Sequence, residues 1–278
     1  MRLVFLLMLT MTAFAANSLL TRLAVSEGHS EPATFAMIRV LSGAGVLIVL
    51  VALRDRDALT LSRMAWPGAF SLTIYMLGFS LAYSTLDAGL GALILFGVVQ
   101  LVMFAHAALG PQRPNTGQIA GSFIAFAGLI VLLWPETARA VDPLGAALMG
   151  IAGVGWAAYT IIGQRAIDPL AATMRSFVLC FPMTFILFIG MGVAANSYGV
   201  LLAVICGAAT SALGYALWYA ILPGISGPTA AVSQLSVPVI TLFAGVLLLG
   251  ESLTLKMVLA AVLVLSGVGG AIRAKAAV

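Results

Sequence analysis

Charged side chains are scarce in this sequence. Asp, Glu, Lys and Arg make up only 8% of its 278 residues, against about 25% in an average soluble domain. A soluble protein of this length needs many more charges to cover its surface, whereas 62% of these residues are hydrophobic. Lipid is therefore predicted to surround most of the chain. The thirteen Lys and Arg residues are spread along the sequence and form no basic patch, which excludes a nucleic-acid-binding protein.

Cysteine, histidine and membrane-embedded carboxylates are also few. The two cysteines, Cys180 and Cys206, fall in apolar stretches, where buried thiols are expected rather than a disulfide or a metal pair. The sequence has no Cys/His cluster and predicts no metal and no cofactor. No carboxylate falls in the middle of an apolar stretch, which argues against the carboxylate proton relay of many pumps. The remaining candidate for proton coupling is His106, because histidine is the residue type whose ordinary charge change falls near neutral pH.

Ten apolar stretches are present, and each approaches the roughly 20 residues that a transmembrane helix needs. They cover residues 3–20, 33–53, 66–86, 89–109, 117–134, 144–163, 174–193, 200–222, 229–249 and 255–272. The short loops between them leave no room for a soluble domain. Residues 2–16 also have the pattern of a cleavable signal peptide, but the apolar stretch continues to residue 20, so an uncleaved first helix is predicted.

The distribution of positive charge predicts the orientation of the helices. Nine Lys and Arg residues fall in one set of loops and three in the other, while Arg39 lies within a predicted span. Because positive residues are retained on the cytoplasmic side, both termini are predicted to be cytoplasmic, in a multi-pass protein of the inner (plasma) membrane.

The chain also contains an internal repeat. Residues 77–91 align with residues 213–227, and six of the fifteen positions are identical. A duplicated block in an apolar chain is typical of transporters built from two related halves. We predict two five-helix repeats, residues 1–138 and 139–278, in one membrane domain. Because each half has an odd number of helices, the second half is predicted to be inverted relative to the first, around a central cavity.

Short motifs in the expected order carry a resemblance to a known family. Residues 14–18, Phe-Ala-Ala-Asn-Ser, resemble a first-helix motif, with a counterpart at residues 156–159. Pro32 followed by Arg39 is echoed by Pro169 followed by Arg175, and residues 250–251, Gly-Glu, resemble the signature that ends the ninth helix. Together with ten helices and the duplication, the sequence resembles the drug/metabolite transporter superfamily in its ten-helix EamA-type form, over essentially the whole length.

The resemblance implies a carrier that moves small metabolites, commonly outward from the cytoplasm. It also implies that helices 1, 3, 4, 6, 8 and 9 surround the central cavity. Within the family the chain is most similar to the amino acid exporters, among them the YddG-like aromatic amino acid exporter branch. One departure is that Gly110 is followed by Pro111, so the acidic residue of the signature is missing from the first half.

Two aromatic stripes are the first candidates for a substrate site. Helix 3 carries Tyr75, Phe79 and Tyr83 on one face, and helix 8 carries Tyr215 and Tyr219 with Trp218 beside them. Facing each other across a cavity, these rings would stack on a flat apolar substrate. The alternative is that they fill helix interfaces or lie at the bilayer surface.

Neutral polar side chains and one arginine complete the candidate site. Asn17, Gln100, Trp156 and Tyr159 are expected to hydrogen-bond a zwitterion, or else to join helices to one another. Arg39 is expected to anchor helix 2, by snorkelling or by capping carbonyl groups, with contact to a substrate carboxylate as the alternative.

Two other classes of protein remain as rivals. Residues 224–227, Gly-Ile-Ser-Gly, match the motif of an intramembrane serine protease, with Ser226 as the nucleophile, but both histidines precede this serine. A channel would need oligomeric symmetry or a repeated carbonyl filter, and neither signature is present. The favoured prediction is an alternating-access exporter of amino acids, aromatic ones foremost, and not an enzyme. The alternative cargo is another small metabolite or drug, such as threonine, homoserine or a nucleoside. Its expected partners are a small-molecule substrate and the lipid bilayer, with a monomer favoured.

Overall fold

The computed structural model describes residues 2–86, 88–110, 113–133, 142–189, 194–249 and 255–274 as an all-helical bundle. Its ten principal helices are α1 (Arg2–Val25), α2 (Pro32–Arg54), α3 (Trp66–Ala82), α4 (Ala88–Leu109), α5 (Thr116–Leu133), α6 (Pro143–Gly163), α7 (Pro169–Ile189), α8 (Ser197–Ile205, then a π-helical segment Cys206–Leu213, then Gly214–Ile221), α9 (Gly227–Gln234, continued by Ser236–Leu249) and α10 (Leu255–Arg273). Short 3₁₀ turns lie at Arg56–Leu59, Arg63–Ala65 and Leu222–Gly224. Within the described residues, six helical stretches are long and apolar enough to cross a membrane. The predicted ten-helix, all-α membrane fold is confirmed.

Polar residues placed directly before the apolar stretches decide where several helices begin. Asp142 accepts hydrogen bonds from the first backbone N–H groups of α6, and Asn196 and Ser226 do the same for α8 and α9. Asp168 caps α7 in this way and is followed by a proline at the first helical position. The hydropathy pattern placed the start of α7 at residue 174, whereas the helix begins at Pro169 because this capped turn is less apolar than the rest.

The two halves run in opposite directions across the bundle. We call the end at which α1 begins the basic end and the other the opposite end. The basic end carries Arg54, Arg56, Arg63, Arg113, Arg165, Arg175 and Arg273. α6 begins at the opposite end, where Asp142 accepts a hydrogen bond from Thr85, just beyond the end of α3. Since α1 and α6 start at opposite ends, the inverted arrangement of the repeats is present. The predicted boundary at residues 138–139 lies outside the described residues.

Glycine allows α5 and α10 to pack backbone against backbone. A Cβ atom added to Gly121 would lie 2.5 Å from the carbonyl oxygen of Gly267, and one added to Gly128 would meet Leu263 and Val264 at 2.8–3.0 Å. Abundant glycine in the fifth and tenth apolar stretches predicts close packing of these helices, and Gly121, Gly128 and Gly267 confirm it. Gly269 and Gly270 do not take part, because a Cβ atom on either meets nothing within 4 Å.

Candidate functional site

Nine aromatic side chains meet in the interior of the bundle. The aromatic cluster comprises Phe14, Tyr75, Phe79, Tyr83, Trp156, Tyr159, Tyr215, Trp218 and Tyr219. They come from α1, α3, α6 and α8, hence from both halves, and each is at most 5% exposed. Trp156 lies at the centre, with its ring centroid 4.8 Å from that of Tyr75, 4.7 Å from that of Tyr215 and 5.1 Å from that of Phe14. The rings contact one another directly and form one closed cluster.

The two aromatic stripes predicted from the sequence meet at one pair of tyrosines. The hydroxyl of Tyr215 on α8 donates to that of Tyr75 on α3 over 3.2 Å, and the two ring centroids are 6.3 Å apart. Trp218 lies beside them, with its indole N–H donating to the Thr160 hydroxyl over 3.2 Å. The two stripes therefore contact each other directly at this pair, instead of facing each other across a cavity.

Tyr83 and Tyr219 do not face each other, although the repeat aligns them. Tyr83 packs edge-on against Phe79 with centroids 4.8 Å apart, near the opposite end. Tyr219 stacks on Tyr159 with centroids 4.5 Å apart and lies against Gly163, at the basic-end terminus of α6. Inversion of the second half explains the difference, because it carries equivalent residues to opposite ends of the cluster.

A polar network lies against the aromatic cluster and is centred on Asn17. Its side-chain oxygen accepts hydrogen bonds from the hydroxyls of Thr210 at 2.6 Å and Ser211 at 3.0 Å, and from the thiol of Cys206 at 3.2 Å. All three donors belong to the π-helical segment of α8. π-Helical turns inside α-helices are frequently found at functional sites, and this one brings three donors of α8 to a single acceptor on α1.

Arg39 is buried and joins this network to the aromatic cluster. Its Nε donates to the Ser211 hydroxyl over 2.7 Å, and its Nη2 donates to the hydroxyls of Tyr215 over 2.6 Å and Tyr75 over 3.4 Å. The guanidinium carbon also lies 5.6 Å from the ring centroid of Phe79, a cation–π distance. The expectation that Arg39 snorkels or caps carbonyl groups is wrong, because its hydrogen-bond acceptors are hydroxyl groups in the protein interior.

Arg175, the counterpart of Arg39 in the second half, performs the carbonyl-capping role. Its Nε donates to the carbonyl oxygen of Thr60 over 2.8 Å and its Nη2 to that of Ala58 over 3.0 Å, at the basic end. The two arginines therefore lie at equivalent positions of the repeats in different surroundings. Only Arg39 contacts the aromatic cluster.

Two further candidates lie away from the cluster. Gln100 borders an apolar groove of about 640 Å³ between α4 and α5, and its buried side-chain amide has no hydrogen-bond partner among the described residues. His106 is exposed and borders a cavity of about 690 Å³ at the basic end, together with Arg165, Arg175 and Tyr219. This cavity therefore reaches the basic-end face of the aromatic cluster.

Some contacts of the site were not anticipated from the sequence. The indole N–H of Trp156 donates to the side-chain oxygen of Gln234 on α9, which ties α6 to α9. Thr210 and Ser211 were overlooked as network members, although two adjacent hydroxyl residues in a long apolar stretch are a usable signal. Asp87 and Glu251, two acidic residues that the hydropathy pattern predicts at helix ends, lie outside the described residues.

Two carboxylates tie the halves together at the two ends of the bundle. Asp142 accepts a hydrogen bond from Thr85 over 2.7 Å at the opposite end, and Asp168 forms an ion pair with Arg54 at the basic end. Hydrogen bonds from Thr85 and from the backbone N–H of Gly145 lower the pKa of Asp142. Burial alone would raise the pKa of Asp168, but the hydrogen bonds from Arg54 and from the backbone N–H of Ala171, together with the positive charges of Arg54 and Arg175, outweigh it, so the pKa is also below the ordinary value.

Comparisons with known proteins agree with this architecture. The EamA-like transporter family matches residues 143–273, which begin at the first residue of α6. An uncharacterized protein of Pseudomonas aeruginosa is 40% identical over 270 residues, covering 96% of this chain and 93% of its own. A probable amino-acid metabolite efflux pump of Salmonella typhimurium is 26% identical, over 95% of this chain and 92% of its own.

A similar fold is also known from experiment. A solved crystal structure with 17% sequence identity matches with a TM-score of 0.82, over 100% of this chain and 99% of that one. The match of residues 143–273 to the family model leads to one conclusion: the chain belongs to the EamA-like transporter family of the drug/metabolite transporter superfamily.

Proposed function

We propose that this protein is a secondary carrier that exports small metabolites, with amino acids favoured and aromatic ones foremost, by alternating access. The observation that carries the proposal is the closed aromatic cluster, to which both inverted halves contribute and which a cavity reaches from the basic end. Aromatic rings buried in this way suit a flat apolar substrate side chain, because ring pairs contribute about 0.5–1.5 kcal/mol beyond burial. The efflux pump of Salmonella typhimurium supports the same class of cargo.

The proposed orientation follows from the positive charge. Because the arginine-rich loops lie at the basic end, this end is cytoplasmic under the positive-inside rule, in the inner membrane. The cavity of about 690 Å³ then opens toward the cytoplasm. Substrate enters there, reaches Tyr219 first, and leaves past Tyr83.

The movement we propose is a rocking of α3, α4, α8 and α9 against the rest of the bundle. Tyr83 and Tyr219 lie on two of these moving helices and at opposite ends of the aromatic cluster. Each closes one side of the site, so that the two sides open in turn. The polar groups of α1 and α6 belong to the helices that do not move in this proposal.

Counterflow in proteoliposomes tests the proposed function. Vesicles loaded with phenylalanine, tryptophan, threonine or a nucleoside are compared for trans-stimulated uptake of the same labelled compound. Saturable uptake of the aromatic amino acids is expected. Stimulation by threonine or the nucleoside alone would refute the aromatic cargo, and flux that does not saturate would indicate a channel.

Two tyrosine substitutions test the role of the cluster. Tyr83→Ala and Tyr219→Ala are each expected to lower counterflow at least about tenfold, since each removes a ring that closes the site. Tyr198→Ala is the matched control, because Tyr198 is 45% exposed and packs on His29 outside the cluster. Unchanged transport in both cluster variants would refute the aromatic site.

The hydrogen bonds of Ser226 bear on the alternative of an intramembrane serine protease. Its hydroxyl accepts a hydrogen bond from the backbone N–H of Thr229 over 3.3 Å and lies 2.8 Å from the hydroxyl of the same residue, which is the geometry of a helix cap. Ser226→Ala is therefore expected to retain transport in membranes. Loss of transport with an intact fold would reopen a direct role for this serine.

A further inference from the structure

Arg39 is a buried positive charge without a negative partner. Its side chain is fully buried, and the hydrogen bonds of its guanidinium all end on neutral hydroxyl groups. Among the described residues, the carboxylate ion pairs are formed by Arg54 and His29 and do not involve Arg39. A buried cation is retained only where something compensates for its lost hydration. In a transporter, this points to a negative charge supplied by the substrate.

The hydrogen bonds of Arg39 leave one part of the guanidinium free. Nε donates to Ser211, and Nη2 donates to Tyr215 and Tyr75, while Nη1 has no acceptor among the described residues. A guanidinium offers five N–H groups in a planar fork that matches a carboxylate. Nη1 therefore has unused donors beside the aromatic cluster, next to rings that would hold an apolar side chain.

The same site offers little to an ammonium group. The side-chain oxygen of Asn17 already accepts three hydrogen bonds, and that of Gln234 accepts one from Trp156. The hydroxyl oxygens of Tyr75 and Tyr215 accept hydrogen bonds from Arg39. None of the described carboxylates belongs to this network. An ammonium could meet the unpartnered Tyr159 hydroxyl and the faces of the rings, but the described site offers it no opposite charge, whereas Arg39 offers one to a carboxylate.

We propose that Arg39 binds the carboxylate of the substrate, and that the site requires this carboxylate but not an α-ammonium group. The substrate class is then carboxylates with an apolar, preferably aromatic, side chain. Both α-amino acids and their deaminated analogues belong to it. This inference rests on the proposed function for its location, but it makes a separate claim about which charged group is recognised.

Binding measurements on the purified protein distinguish the contribution of the substrate carboxylate from that of the ammonium group. Trp156 lies at the centre of the cluster, so tryptophan fluorescence provides the readout without any transport step. Three ligands are compared: phenylalanine, phenyllactate, which lacks the ammonium, and phenylalaninamide, which lacks the carboxylate. We expect phenyllactate to bind within about threefold of phenylalanine. Phenylalaninamide should bind about ten to one hundred times more weakly, as loss of a charged hydrogen bond implies.

The outcomes distinguish this inference from the proposed function. We call the proposed contact between Arg39 and the substrate carboxylate the carboxylate anchor, or the anchor. Three results would overturn it: equal binding of phenylalanine and its amide, failure of phenyllactate to bind, or binding of none of the three ligands. Transport of phenylalanine without preference for the acid would leave the carrier intact and refute the anchor. Preference for the acids in binding, without any counterflow, would support the anchor and refute the exporter.

Variants of the two related arginines test the assignment to Arg39. Arg39→Gln keeps hydrogen-bonding ability and removes the charge, so the affinity ratio of acid to amide should fall at least about tenfold. Arg39→Lys should retain part of the ratio. Arg175→Gln is the matched control, because Arg175 binds the carbonyl groups of Ala58 and Thr60 and should leave the ratio unchanged. A wild-type ratio in Arg39→Gln would refute the assignment, and the ligand comparison on the unmodified protein decides the matter where this variant does not fold.

Discussion

The polar network predicts that a single isosteric change, Asn17→Asp, will block substrate binding by giving Arg39 an internal counter-ion. Ser211 links the two side chains, donating to Asn17 Oδ1 over 3.0 Å and accepting from Arg39 Nε over 2.7 Å. The Asn17 oxygen and Arg39 Nε are therefore at most 5.7 Å apart, the length of these two bonds placed end to end. The new carboxylate keeps all three hydrogen bonds that this oxygen accepts.

The magnitude follows from Coulomb's law. Two unit charges about 5.7 Å apart at an effective dielectric constant of about 20 attract by about 3 kcal/mol. If the carboxylate at position 17 neutralises the charge of Arg39 with this attraction, a substrate carboxylate loses a comparable part of its binding free energy. Partial screening reduces the effect, so we expect affinity to fall about ten- to one-hundredfold.

Fluorescence titration with phenylalanine and phenyllactate, together with thermal unfolding in detergent, measures both consequences. Asn17→Asp should bind the acids poorly and unfold at or above the wild-type temperature. Asn17→Leu is the control: it removes the shared acceptor of Thr210, Ser211 and Cys206 without adding charge, and it should lower stability by about 1–3 kcal/mol. Wild-type affinity in Asn17→Asp would refute the argument that the charge of Arg39 binds substrate.

Two further predictions concern stability. Gly121→Ala places a Cβ atom 2.5 Å from the Gly267 carbonyl oxygen and should lower the free energy of unfolding by about 1–3 kcal/mol. Gly270→Ala, whose Cβ atom meets nothing within 4 Å, should be neutral or raise it by up to about 1 kcal/mol. Equal thermal unfolding of the two variants would contradict the packing of α5 on α10. Because the pKa values of Asp142 and Asp168 are lowered by their partners, their stabilisation is complete above the ordinary carboxyl pKa and is lost as pH falls below about 4. Asp142→Asn keeps the helix cap and should unfold with a weaker pH dependence in this range, and an unchanged dependence would show that Asp142 contributes nothing to it.

Much of the fold could be predicted from the sequence because its main signals are local. A lipid-spanning helix needs a long apolar stretch, and α1, α2 and α6 lie within a few residues of the stretches that predicted them. The inversion of the halves followed from counting helices. The start of α7 was missed, because a cap and a proline, rather than hydropathy, decide where it begins.

The candidate site was harder to predict because it depends on how α1, α2 and α8 pack, and so on which of their side chains come into contact. Tyr75, Trp156 and Tyr215 were found from helical spacing and motif position. The π-helical segment was not, since no residue pattern distinguishes it from an α-helix, and it brings Ser211 to Arg39. Gln100 carries the same polar signal as Asn17 but borders a groove on the outer side of α4.

The proposed movement of α3, α4, α8 and α9 against the remaining helices can be tested by cross-linking. Thr85, which follows α3, contacts Asp142 at the start of α6, so a cross-link between cysteines at these positions joins the moving unit to the static one. Arg54 and Asp168 also join the two halves, but both lie in the unit proposed to be static, which makes them the matched control. The native Cys180 and Cys206 are buried.

The decisive measurement is counterflow by each double-cysteine protein before and after reaction with a short thiol cross-linker that is cleaved by reduction. The account predicts that cross-linking residues 85 and 142 stops transport, that reduction restores it, and that the link between residues 54 and 168 leaves it unchanged. Equal transport by the protein linked at residues 85 and 142 and by its reduced form would contradict alternating access by these helices.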